Sequence, residues 1–164
     1  MREAKKQDYL RWAVDSFRLA TAGAKNETQV HTHMCYCEFD DCMGAIDRMD
    51  TDVNSIENAR SDNKTLKDFK TFGYKRGLGP GVYDIHCPVV PSVDSLKKKI
   101  KTFLPCIEMK YICINPDCGL KTRTWPETIG ALKNMVEAND QVRAELGLPT
   151  STSFLKSASL KLVK

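Results

Sequence analysis

The chain has 164 residues, 41% of them hydrophobic and 28% charged, and a formal net charge of +4. That length suits one ordinary domain with one core, and that balance suits a globular protein in water. Both features argue against a membrane protein, because no apolar run approaches the roughly 20 residues of a span. They also argue against a secreted one, because the opening MREAKKQDYL has no apolar core.

The seven cysteines are Cys35, Cys37, Cys42, Cys87, Cys106, Cys113 and Cys118. An odd number without a signal peptide argues against a disulfide framework and predicts a reducing, cytoplasmic setting with thiols buried or bound to metal. The sequons Asn26-Glu27-Thr28 and Asn63-Lys64-Thr65 are then incidental. The run Lys97-Lys98-Lys99-Ile100-Lys101 reads as a solvated helix face, since no aromatic residues interleave with it as nucleic-acid stacking requires. No nucleic acid and no membrane is therefore expected as a partner.

Along the chain, Leu10, Ala13, Val14 and Phe17 follow the i, i+3, i+4, i+7 pattern and predict a helix over 7–22, stopped by Gly23. TQVHTH (28–33) reads as a short strand, and 40–49 as a helix capped by Asp40 or Asp41. TDVNSIE (51–57) reads as a strand, and 64–76 as a helix with Leu66, Phe69 and Phe72 inward. GPGVYDIH (79–86) reads as a strand entered through glycine. PSVDSLKKKIKTFL (91–104) is a helix capped by Ser92, with Val93, Leu96, Ile100, Phe103 and Leu104 as its apolar stripe. MKYICIN (109–115) has the continuous apolar character of a buried parallel strand. The last helix, 126–146, carries Leu132, Met135, Val136 and Val142 inward and stops at Gly147. The Ser/Lys-rich residues 149–164 read as a loose tail behind a domain spanning 1–148.

This order, one helix followed by four strand–helix units, predicts an α/β fold with parallel strands covered by helices. Chemistry in such folds gathers at the carboxyl ends of the strands. The predicted strand ends offer His33, Glu57 and His86, with Cys118 just beyond the last; these lie 24, 29 and 32 residues apart, about one strand–helix unit each. The stretch HTHMCYC places His31, His33, Cys35 and Cys37 on one face of an extended chain. At about 3.3 Å per residue the outer two are roughly 20 Å apart, so at most two neighbours share an ion. His33 and Cys35 can supply two ligands, and Glu57 and Cys118 two more. Two thiolates, an imidazole and a carboxylate suit Zn2+ and leave a net charge of about −1.

Plainer readings stand beside this one. Cysteine is commonly a small buried hydrophobe, which accounts for Cys37, Cys42, Cys106 and Cys113. A strand-end glutamate such as Glu57 can cap a helix. His31 reads as packed or hydrogen-bonded. Cys87 lies beside His86, but adjacent side chains rarely face each other, which argues against a nucleophile pair.

QVHTHMCY, SIENARSD, GPGVYDIHCP and NPDCGLKTR, flanked by RWAVDSFRLATAG and ALKNMVEA, together resemble the C-terminal catalytic domain of cobalamin-independent methionine synthase. The resemblance covers residues 7–147, with the motifs in family order. It implies zinc held by His33, Cys35, Glu57 and Cys118, and a proton donor at His86; Tyr36 lines the same pocket by the same likeness. It implies methyl transfer from 5-methyltetrahydrofolate, as its polyglutamate, to homocysteine. It also implies a (β/α)8 TIM barrel. Such a barrel takes about 250 residues, so the chain is expected to form a partial barrel of about four units. Two open sheet edges would then invite the missing half or self-association. A non-catalytic zinc-binding remnant is the alternative to an enzyme. A cobalamin-linked or coenzyme M methyltransferase fits less well, because the GPGVYDIH and NPDCGLKTR motifs occur together. The stretch after His86, with Cys87, Val89 and Val90, departs from the family, which often has Ser at its start.

Overall fold

A computed structural model describes residues 3–35, 39 and 41–151. Three parallel strands form its sheet in the order β1 (His31–Met34), β2 (Val53–Ile56), β3 (Gly77–Pro80). The register pairs His33 with Ser55 and Ser55 with Gly79, so one row of residues crosses the sheet near its carboxyl end. Helices α1 (Glu3–Thr21), α2 (Met43–Arg48), α3 (Lys64–Phe72), α4 (Val93–Lys101) and α5 (Trp125–Glu145) complete the α/β architecture.

Local chemistry explains most of these boundaries. Ser92 caps α4 by accepting from the Ser95 backbone N–H at 3.2 Å, as the sequence predicts. Glu127 accepts from the Thr124 N–H at 2.8 Å, the reciprocal half of a capping box at the start of α5. Gly147 ends the segment with φ +69. The predicted acidic cap of α2 is not realised at Asp41: the N-cap is Cys42, without a side-chain bond, and Asp41 pairs with Lys6 at 2.5 Å. Asp40 lies outside the described residues, as do Tyr36, Cys37 and residues 152–164 of the expected tail.

Three expectations are corrected. Helix α3 stops at Phe72 rather than Arg76, because Gly73 adopts φ 78 and closes it; Phe72 accordingly stays 45% exposed instead of packing inward. The third strand runs 77–80, not 79–86. Beyond Gly81 the chain turns, because the Asp84 carboxylate accepts from the His86 backbone N–H at 2.9 Å and competes with the strand ladder. The fourth strand is reduced to two parallel bridges, Leu78 with Ile112 and Gly81 with Asn115. Residues Met109–Tyr111 spend themselves on a 3-10 turn, and Pro116 supplies no N–H to extend the pairing.

The core lies between the sheet and helices α2 to α5. Phe69, Phe103, Leu66, Leu78, Leu96, Ile56 and Ala138 are nearly or completely buried there. Phe69 packs against Phe39 and, edge-on, against Tyr74 with centroids 5.2 and 5.0 Å away. In α5 the buried row is Ala131, Met135, Ala138 and Val142. Val136, expected inward, faces outward with Ile129 on the same helix. Lys97 and Lys101 both pair with Glu145, at 2.9 and 2.6 Å, so part of the basic run ties α4 to α5.

Candidate metal centre

The strand ends bring together residues far apart in sequence. His33 on β1 places Nε2 3.3 Å from Cys118 Sγ, 85 residues away. Cys35, just past β1, joins them: one ligand atom from each of His33, Cys35 and Cys118 lies within 4.8 Å of the others. Ligands of a tetrahedral Zn2+, at bond lengths of about 2.0–2.3 Å, stand about 3.5–3.8 Å apart. Donors within 4.8 Å of one another stand near that spacing, so small side-chain shifts would bring these three onto one ion.

Electrostatics favour a cation here. Burial, the neighbouring Cys35 thiol, and the charges of Glu57 and Asp117 push the Cys118 thiol up to about 11. Like charges crowd one thiol, and a divalent ion reverses that balance by favouring the thiolate. Glu57 is thus within electrostatic reach of Cys118, although its carboxylate is not one of the three converging donors. It follows Ile56 at the end of β2, and its backbone N–H donates to the Met34 carbonyl at 3.2 Å.

The rim that carries Cys118 is built by Asp117, a residue the sequence reading quoted within NPDCG but gave no role. Asp117 is 2% exposed, and its Oδ1 accepts from the Asn58 and Ala59 backbone N–H groups at 2.8 and 2.9 Å. One carboxylate therefore stitches the segment after Glu57 to the residue before Cys118. Burial raises the Asp117 pKa, and these two N–H groups pull against that rise. Lys99 Nζ donates to the Asn58 carbonyl at 3.1 Å, so the asparagine of the SIEN stretch is held from both sides.

The glycines of GPG have a steric reason. A Cβ on Gly79 would meet Asn115 Oδ1 at 2.2 Å, and one on Gly81 would meet Asp117 Oδ1 at 1.8 Å. These two positions admit the NPD segment against β3. The sequence signal was there, as alternate glycines at a strand entrance, but its partner lay 36 residues on.

His86 sits on the turn after β3, not on a strand end. Asp84 Oδ1 accepts from its Nδ1 at 2.8 Å and from its backbone N–H at 2.9 Å, while Arg60 Nε donates to Asp84 Oδ2 at 2.8 Å. Burial alone would raise the Asp84 pKa, but the bonds from His86 and Arg60 hold it below the ordinary carboxylate value. His86 is therefore engaged with Asp84 through Nδ1 and its backbone N–H. Glu57 does not cap a helix, since the N-cap of α3 is Asn63, but three other plain readings fit. His31 Nε2 bonds to Gln29 Oε1 at 2.8 Å, and Cys42 and Cys106 pack against the core.

The fold and donor set together define an α/β protein whose strand ends bring an imidazole and two thiols close enough to hold a metal ion. The family described as "Cobalamin-independent synthase, Catalytic domain" matches residues 1–141. A 5-methyltetrahydropteroyltriglutamate–homocysteine methyltransferase of Buchnera aphidicola (Cinara cedri) is 55% identical over 138 residues, covering 84% of this chain and 18% of the relative. One of the same name from Synechococcus sp. is 56% identical over 139 residues, with 85% and 18% covered. A solved B12-independent methionine synthase from Shewanella sp. W3-18-1, in complex with selenomethionine, shares the fold with a TM-score of 0.66 at 17% identity. That likeness covers 83% of this chain and 44% of the solved one. The chain belongs to the catalytic-domain family of the cobalamin-independent methionine synthases. It spans about a fifth of the length of these curated relatives.

Proposed function

We propose that this chain is the zinc-bearing part of a methionine synthase that moves a methyl group from 5-methyltetrahydrofolate polyglutamate to homocysteine. The observation that carries the reading is the convergence of His33 and Cys35 with Cys118, 85 residues beyond His33. Glu57 completes the ligand set by its place at the end of β2 and its influence on Cys118. When bound, Zn2+ supplies a Lewis acid that holds the homocysteine sulfur as its thiolate at neutral pH.

The methyl donor needs a proton, because its methyl leaves a nitrogen that is a poor leaving group unprotonated. His86 supplies it. Histidine is the side chain most often used for general acid work. Asp84 holds Nδ1 and leaves Nε2 to carry the transferred proton. The methyl then passes in line from nitrogen to sulfur without a corrin carrier.

Catalysis belongs to a completed barrel. The described sheet has three strands, and large apolar side chains stand open on its outer helices: Trp12 at 63%, Ile129 at 48% and Val136 at 48% exposure. We read residues 1–148 as a partial (β/α)8 barrel that the remaining part of such a synthase, or a second copy of this chain, would close. Alone, the chain then binds metal without turnover. Among the described residues no helix is long and apolar enough to cross a membrane. The free thiols at the site suit a reducing cytoplasm.

The test is to purify the chain, measure its zinc content and mass in solution, and assay methyl transfer with and without the missing part of the barrel. One zinc per chain, with turnover only on completion, supports the proposal. Zinc without turnover in either case favours the non-catalytic module. Absence of stoichiometric zinc refutes both.

A further inference from the structure

We infer that Ser55 is a positioning residue that sets the tautomer of His33, so that Nε2 presents a bare lone pair to the metal. The inference rests on the zinc reading above, but concerns a residue that reading leaves without a role. Ser55 lies on β2 directly opposite His33 in the parallel register. In adjacent strands, paired residues project to the same face, so the hydroxyl reaches the ring. Ser55 Oγ is 2.6 Å from His33 Nδ1 and 3.2 Å from the Thr32 carbonyl oxygen.

Proton accounting decides the direction of these bonds. A hydroxyl has one proton to donate and lone pairs to accept with, and a carbonyl can only accept. Both contacts are satisfied together only if Ser55 donates to the Thr32 oxygen and accepts from His33 Nδ1–H. A neutral imidazole carries one ring proton, so Nε2 is then bare. That nitrogen faces Cys118 Sγ at 3.3 Å, where the ligand cluster lies. The opposite tautomer would place a proton on the coordinating atom and leave the Thr32 carbonyl without this donor. Gly79 keeps the position open: it pairs with Ser55 on the other side, and a Cβ there would come within 3.2 Å of the Ser55 Cβ.

Metal-ligating histidines are commonly held through their other nitrogen, and loss of such a partner weakens metal binding by about 10–100-fold. The tests are nitrogen-15 NMR of the His33 ring in the metal-free chain, recorded where the spectrum itself shows the ring neutral, and zinc competition against a chelator. In the wild-type chain Nδ1 should be protonated and Nε2 bare. Ser55→Ala should shift the ring toward a mixture of tautomers and weaken zinc by about 10-fold or more. A wild-type ring protonated at Nε2 would overturn the inference, and so would a folded Ser55→Ala with unchanged tautomer and zinc affinity. If Ser55→Ala does not fold, the wild-type spectrum still decides. If the wild-type chain takes up no zinc, the functional proposal fails while the spectrum tests Ser55 independently.

Discussion

Gly81→Ala is expected to unseat Cys118 without touching it. The added methyl would sit 1.8 Å from Asp117 Oδ1, 2.6 Å from its Cα and 2.8 Å from its Cγ. Rotating the Asp117 side chain relieves only part of this clash, because the Cα is backbone. The segment before Cys118 must move. Overpacking of this kind costs about 1–3 kcal/mol. Displacing the carboxylate also leaves the Asn58 and Ala59 N–H groups without their acceptor, at about 1–3 kcal/mol each if they stay buried. Allowing for partial relaxation, a net loss of about 3–5 kcal/mol follows. For a chain of this length that lowers the melting temperature by roughly 10 °C. Thermal and urea unfolding measure the loss, and zinc titration measures the accompanying damage to the site. Gly119→Ala is the control: it adjoins Cys118, yet its added Cβ meets nothing within 4 Å. If Gly81→Ala melts and binds zinc like Gly119→Ala, the steric account of the GPG motif is wrong.

Other consequences can be checked on the same material. Cys118→Ser and Glu57→Gln should each weaken zinc in chelator competition, with the larger loss at Cys118, whose Sγ stands against His33. His86→Asn should leave zinc content unchanged but slow methyl transfer by about 10²–10⁴-fold in a completed enzyme, the usual contribution of a general acid; an unchanged rate would remove His86 from the mechanism. Zinc affinity should rise with pH through the neutral range. The metal-free Cys118 thiol titrates at about 11, so it holds its proton at neutral pH and must release it to bind. Calorimetry in buffers of different ionisation enthalpy should therefore detect proton release on zinc binding. Proton uptake on binding would contradict the assignment.

The sequence by itself determined the class of fold and singled out three of the residues that the structure brings together at the strand ends. Alternating helical stripes and short strands predict parallel α/β structure, and Ser92, Gly147, the α4 residues Leu96 and Ile100, and Phe103 just past that helix do in the structure what their spacing implies. His33, Cys35 and Cys118 were legible as donors because imidazole and thiol chemistry is written in the residue type. Boundaries were less legible where side chains compete with the backbone ladder. Asp84 turns the chain at a stretch whose composition reads as a strand, and the 3-10 turn at Met109 shortens another.

Tertiary structure alone decided which distant groups meet. Ser55 gains its place beside His33 from strand register, and a register is a relation between two segments. Asp117 binds the Asn58 and Ala59 amides across a separation of almost 60 residues, through a gap that Gly81 leaves for it. A linear pattern carries the chemistry of each residue and the period of each element. Distances between elements come only from packing, and it is such distances that turn a histidine, two cysteines and a serine into one site.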